Sequence, residues 1–163
     1  MRATAIIVTA LFVIGSQPVK GDDDAAKKLH GVWRLTSLKL QVVGDESQAR
    51  DVFGSNPKGY LIFTTEGRMT AVVSSADRKP PTNDADNIAL MKSFLAYTGK
   101  YTIEGDKWTT KVDVSWNEVY SAQDQVQFFK VDGDRLAVRT AERESGVFPG
   151  KKVVASLTGE RER

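Results

Sequence analysis

Short strand-forming runs recur along most of the chain and are separated by turn residues at short, regular intervals. This spacing is typical of an all-β sandwich or barrel. Eight runs combine alternation with β-branched or aromatic residues: 31–43, 58–65, 68–75, 99–104, 107–116, 124–131, 135–141 and 151–163. Eight up-and-down strands can close on themselves, which removes the free sheet edges that promote aggregation. The sequence therefore predicts an all-β fold, an eight-stranded antiparallel up-and-down β-barrel.

Two stretches depart from the strand pattern. Residues 44–57 are rich in Gly, Asn and Pro, which predicts a loop. Residues 84–97 have apolar side chains at spacings of three and four, which predicts one short amphipathic helix; the apolar residues are Ile88, Met91, Phe94 and Leu95. Asp84 or Asp86 is expected to cap this helix, and its apolar side to close the core or one mouth of the barrel.

The first residues have the pattern of an export signal. Arg2 precedes an apolar run of roughly twelve residues, the length of a signal-peptide core and shorter than the ~20 residues of a membrane span. Small residues then suit cleavage after Gly21. We expect a signal peptide at 1–21, a flexible leader at 22–28 and one barrel domain at 29–163. The protein would be exported to the periplasm or the medium, without a stable membrane anchor.

Composition excludes several functional classes. The chain has no cysteine and a single histidine, which excludes disulfides, thiol catalysis and a zinc site of several histidines. Its net charge is +2 and it has no basic run, so nucleic acid is not an expected partner. No phosphate-binding glycine loop or metal motif occurs, and we expect no cofactor and no metal. The expected state is a monomer, with a weak dimer as the alternative.

A set of short motifs resembles a known family. In order, they read "LHGVWRLTS", "GYLIFTTEGRMTA", "YTGKYTIEGD", "VDVSWN", "DQVQFFKVDGDRLAVRT" and "GERER". Together, over roughly residues 29 to 161, they resemble the lipocalin-like domain family of bacteria and fungi. The resemblance implies a small closed β-barrel whose biochemical activity is mostly unassigned. His30 departs from the family pattern and is expected to be structural.

The resemblance also implies three structural residues. Trp33 would fill the floor of the barrel, with Gly31 allowing the chain to pass close to the indole. An arginine of the last strand would lie over that indole as a cation–π partner, and Arg161 is the best candidate. The alternative for Trp33 is a role in stacking against a ligand.

The run 107–116 carries a polar face. Alternation places Lys111, Asp113, Ser115 and Asn117 on one side of the strand, opposite an apolar side that holds Trp108 and Trp116. The polar side either faces water or projects into a ligand cavity. In the second case Lys111 and Asp113 would pair and orient a polar ligand atom, or act as acid and base.

Further candidate ligand-binding residues lie on other elements. They are Tyr60, Tyr97, Tyr101, Gln127 and Arg139. Buried tyrosine hydroxyls seek hydrogen-bond partners and suit a mostly apolar pocket with a few polar groups. The alternative is core packing with the hydroxyls at the rim.

Three functions remain open at this point. The first is binding of a small, largely apolar molecule inside the barrel. The second is an isomerase or cyclase type of enzyme that acts on a hydrophobic molecule through Lys111, Asp113 or a tyrosine, although no residue is assigned as catalytic. The third is a structural barrel without a ligand.

Overall fold

The structure, a computed structural model, describes residues 20–145 and 148–163. Residues 1–19 of the predicted signal peptide therefore lie outside the described residues. The elements in chain order are α1 Lys20–Leu29, β1 Gly31–Val42, β2 Asp45–Asp51, β3 Lys58–Phe63, β4 Arg68–Ser74, α2 Asp84–Lys92, β5 Phe94–Glu104, β6 Lys107–Ser115, β7 Gln125–Asp132, β8 Arg135–Thr140, β9 Arg143–Glu144 and β10 Lys152–Arg161.

Eight of the strands form a closed antiparallel ring. The order around the ring is β1, β3, β4, β5, β6, β7, β8 and β10, and β10 pairs with β1 again. Trp33 shows the closure directly, because it lies opposite Leu61 of β3 on one side and Arg161 of β10 on the other. The predicted eight-stranded antiparallel barrel is confirmed.

Three elements were not predicted. Part of the expected loop 44–57 forms β2, because β1 extends beyond β3 and its free edge pairs with β2 near Lys39 and Val42. The short β9 pairs with the start of β10. Residues 22–28, expected as a flexible leader, fall within α1, so the described residues contain two helices rather than the one predicted. Leu29 at the end of α1 is fully buried, which anchors this helix on the barrel.

The helix α2 differs from its predicted form. It ends at Lys92, and its cap is Asn83, whose side chain accepts from the backbone N–H of Asp86. From Phe94 onward the chain pairs with β4 as a strand. The apolar residues that were expected on one helix are therefore divided between a helix and a strand. Ile88 is 55% exposed and Met91 52% exposed, and no residue of α2 is buried. The helix therefore contributes little to the core.

The buried apolar side chains of the barrel form two groups. One group surrounds Trp33 at the end of the barrel that α1 covers, which we call the α1 end. The other surrounds Val73 and Val153 toward the opposite end. We call that opposite end, where β6 ends at Ser115 and β7 begins at Gln125, the loop end.

The α1 end is closed by a compact set of contacts. Trp33 is fully buried, and its indole N–H donates to the carbonyl of Leu29 over 2.8 Å. The guanidinium carbon of Arg161 lies 4.1 Å from the indole centroid, and its N–H groups donate to the carbonyls of His30 at 2.7 Å and Lys28 at 2.8 Å. Gly31 has a φ of 120°, and a Cβ there would lie 3.1 Å from the Arg161 guanidinium. These contacts join α1, the first strand and the last strand.

Candidate functional site

Apart from tyrosine and tryptophan, two residues with polar side chains are buried in the part of the chain that the structure describes. Thr110 of β6 is completely buried and Gln127 of β7 is 6% exposed. Thr110 lies opposite Tyr101 of β5, and Gln127 lies opposite Trp108 of β6. Strand alternation therefore brings these residues together on the inner face of the barrel.

Their hydrogen-bonding capacity is only partly used. The Gln127 Nε2 donates to the Tyr97 hydroxyl over 3.2 Å. The Gln127 Oε1, the Thr110 Oγ1 and the Trp108 Nε1 are buried and have no hydrogen-bond partner within the described residues. A buried polar group left unpaired costs about 1–3 kcal/mol. The interior therefore contains several polar atoms whose hydrogen-bonding capacity is unused.

Tyrosines extend this cluster. The rings of Tyr97 and Tyr120 stack with their centroids 5.6 Å apart, and Tyr101 packs edge-on against Phe63 on the α1 side. Burial raises the pKa of the Tyr97 hydroxyl, and it also raises the pKa of Tyr101 and Tyr120. These phenols remain protonated at neutral pH, so they can donate or accept a hydrogen bond but cannot act as bases.

The predicted pairing of Lys111 with Asp113 is not formed. Both side chains are exposed on the outer face of the barrel. Asp113 instead accepts two hydrogen bonds from the Arg68 guanidinium of β4, at 2.9 and 2.7 Å. This guanidinium lowers the pKa of the Asp113 carboxyl. The two residues proposed as acid and base therefore do not face the interior.

A β-bulge changes the side of the later residues of β6. In the pairing of β5 with β6, Gly99 lies opposite Val112 and Thr98 lies opposite Val114. Asp113 has no opposite residue in β5 and is therefore the extra residue of the bulge. Beyond the bulge, Ser115 lies opposite Tyr97 and is half-buried on the inner face. The simple alternation predicted from the sequence holds only up to Val112.

The remaining candidates lie outside the interior. Asn117 is exposed in the turn after β6, where its Oδ1 accepts from the N–H of Val119 at 3.1 Å. Tyr60 is 40% exposed on the outer face of β3, and Arg139 is exposed on the outer face of β8. Their sequence neighbours Leu61 and Val138 occupy the inward positions, and alternation then directs Tyr60 and Arg139 to solvent. Of the nine predicted ligand-binding residues, the structure brings four to the inner face: Tyr97, Tyr101, Ser115 and Gln127.

Three interior residues were not selected from the sequence. Trp108 and Thr110 share the apolar face of their strand. The inward position of Thr110 could have been predicted, because this threonine stands between aromatic and aliphatic residues on that face. Tyr120 lies in the segment between β6 and β7, where no periodicity points inward. Its contact with Tyr97 is visible only in three dimensions.

Two surface depressions have volumes of about 410 and 520 Å³. The first lies across β7, β8 and β10 near Lys130 and Arg135. The second lies between α2 and the segment that precedes it, near Arg78 and Leu90. Neither is lined by Thr110 or Gln127, so both are separate from the interior cluster.

Replacing Thr110 with valine is expected to raise the free energy of unfolding of the ligand-free protein by about 1 kcal/mol or more. Valine keeps nearly the same shape and removes a buried hydroxyl that has no partner. Urea denaturation followed by circular dichroism measures the change. The control is Thr109→Val on the same strand, whose side chain faces outward and whose substitution should change stability by less than about 0.5 kcal/mol. A Thr110→Val protein less stable than the control would contradict the expectation.

Two further observations bear on the class of protein. Across residues 20–145 and 148–163, no helix is long and apolar enough to cross a membrane. Within the same ranges, no three histidine, aspartate or glutamate side chains gather in a way that could hold a metal ion.

Comparison with known proteins identifies the family. The model of a family described as the lipocalin-like domain matches residues 30–161, which is most of the chain and includes every strand of the closed ring. No curated protein matches the chain. The match agrees with the ring of eight strands and with the Gly31, Trp33 and Arg161 contacts at the α1 end. The chain belongs to the lipocalin-like domain family.

Proposed function

We propose that the protein binds a small, largely apolar molecule inside its barrel. Membership of the lipocalin-like domain family supports a ligand-binding barrel in general terms. The observation that carries the proposal is the interior itself, where an aromatic and aliphatic lining contains unpaired polar atoms of Trp108, Thr110 and Gln127. Binding sites for small molecules combine an apolar lining with a few such polar groups.

The geometry supports binding more than catalysis. Lys111 and Asp113, the acid and base of the isomerase or cyclase alternative, project from the outer face. The interior tyrosines are held in their protonated form, because burial raises their pKa. What remains inside is a set of neutral hydrogen-bonding groups, which is suited to holding a molecule in one orientation.

The proposal includes export and a monomeric state. Support for export comes from the charged start and the apolar run before Gly21, where cleavage would follow. Support for a monomer comes from the closed ring, since among the described residues the two ends of the strand order are the short strands β2 and β9. A short edge offers little for a second copy to pair with.

Native mass spectrometry of the full-length gene product, purified from its own host, tests the proposal. We expect one molecule of a small organic compound on each monomer, and a polypeptide mass that lacks residues 1–21. The same preparation, stripped of that compound, is expected to bind the uncharged fluorophore N-phenyl-1-naphthylamine saturably at one site. A protein that retains no compound and shows no saturable fluorophore binding would overturn the binding proposal.

A further inference from the structure

We infer that the ligand is an uncharged molecule whose polar end carries a hydroxyl group, and that Thr110 and Gln127 hold this end. This inference rests on the proposed function and specifies the chemistry of its ligand. It follows from three features of the interior: the absence of charge, the kind of atoms left unpaired, and the end of the barrel that is closed.

The first feature is the neutrality of the interior. Among the residues whose side chains the structure describes, no charged side chain is buried. An ionised carboxylate or ammonium brought into such a site would lose its hydration without gaining a counter-ion, which is strongly unfavourable. The interior therefore selects against fatty acid anions and organic amines.

The second feature is the combination of unpaired atoms. The Gln127 Oε1 is an acceptor, the Trp108 Nε1 is a donor, and the Thr110 hydroxyl can be either. Trp108 lies directly opposite Gln127, and Thr110 is two residues further along the same inner face, about 7 Å away. A hydroxyl group both donates and accepts, so it is matched to this set. An ether or a ketone would leave the Gln127 acceptor unpaired.

The third feature is the direction in which an apolar tail can lie. The α1 end is filled by the buried side chains of Trp33 and Leu29. Toward the loop end, Leu95, Val112 and Tyr120 pack against the same group of core side chains but are only partly buried. The hydroxyl would thus lie at the middle of the barrel, with the hydrocarbon part extending toward the loop end.

A matched series of compounds that share a ten-carbon chain tests the inference. The ligand-stripped protein is loaded with N-phenyl-1-naphthylamine, and 1-decanol, decanoate and decyl methyl ether are titrated as competitors at pH 8. We expect 1-decanol to bind at least about ten-fold more tightly than decanoate and about five-fold more tightly than the ether, since a hydrogen bond is worth about 1 kcal/mol.

Substitution of the proposed partners supplies the second half of the test. Thr110→Val keeps the shape of the side chain, and Gln127→Leu keeps most of its volume. Each should weaken the binding of 1-decanol by about five-fold or more while leaving the affinity for the ether within about two-fold. Thr109→Val, on the outer face of the same strand, should leave every affinity unchanged. Circular dichroism establishes that each variant is folded before it is titrated.

The outcomes separate this inference from the proposed function. Saturable binding of the fluorophore with equal competition by decanol and decanoate would overturn the inference and keep the proposed function. Unchanged decanol binding in both the Thr110 and the Gln127 variants would do the same. If the protein retains no compound and the fluorophore does not bind at all, the proposed function fails, and the inference fails with it.

Discussion

Replacing Trp33 with alanine is expected to lower the free energy of unfolding by about 3–5 kcal/mol, the range measured for truncating a fully buried large aromatic side chain. Trp33 is fully buried and its N–H satisfies the carbonyl of Leu29 at the end of α1. Its loss also removes the ring beneath the Arg161 guanidinium, 4.1 Å away. Three elements would therefore lose contacts at once, namely α1, β1 and β10.

The measurement is urea denaturation followed by far-ultraviolet circular dichroism, which does not depend on the tryptophan that is removed. The matched control is Tyr60→Ala on β3, which removes a large aromatic side chain from the outer face and is expected to cost about 1 kcal/mol, the range of strand propensities. Equal losses in the two variants would show that Trp33 does not anchor the α1 end. A larger loss at Trp33 supports its structural role.

Replacing Gly99 with valine is expected to destabilise the protein by about 3 kcal/mol or more, at the upper end of the cost of overpacking a tight site. A Cβ at Gly99 would lie 2.0 Å from the carbonyl oxygen of Lys111 and 2.8 Å from the Cα of Val112. Both are backbone atoms, which cannot rotate away as a side chain would. Strands β5 and β6 would have to separate beside the bulge at Asp113.

The comparison variant is Ala137→Val, which enlarges an exposed side chain of β8 in a strand that favours branched residues. It should stay within about 0.5 kcal/mol of the parent protein. Thermal unfolding by calorimetry measures both variants. A stable Gly99→Val protein would mean that the backbones of β5 and β6 do not approach as closely as the structure places them.

The barrel itself could be predicted because its signals are local. Alternation identifies a strand within a few residues, and turn residues mark its ends, so the ring of eight strands follows from short stretches read one at a time. The resemblance added the contact between Trp33 and Arg161, which no local pattern contains. Tyr97, Tyr101 and Gln127 were selected as buried polar or aromatic groups, and they lie on the inner face.

The details that failed depend on partners distant in sequence. The bulge at Asp113 forms where β6 passes over Gly99, and nothing within β6 announces it. As a result, Lys111 and Asp113 appeared to share a face with Ser115, whereas the bulge separates them. The helix 84–97 failed for the same kind of reason, because β4 provides a free edge that draws the residues from Phe94 onward into a strand.

The joint between the first and last strands also sets the order in which the protein can fold. Arg161 bonds to the carbonyl of His30, 131 residues earlier in the chain. Pairing between residues so distant in sequence requires closure of a long loop and is typical of slow folding. The ring stays open until β10 has left the ribosome, so the nascent chain carries unpaired strand edges throughout synthesis.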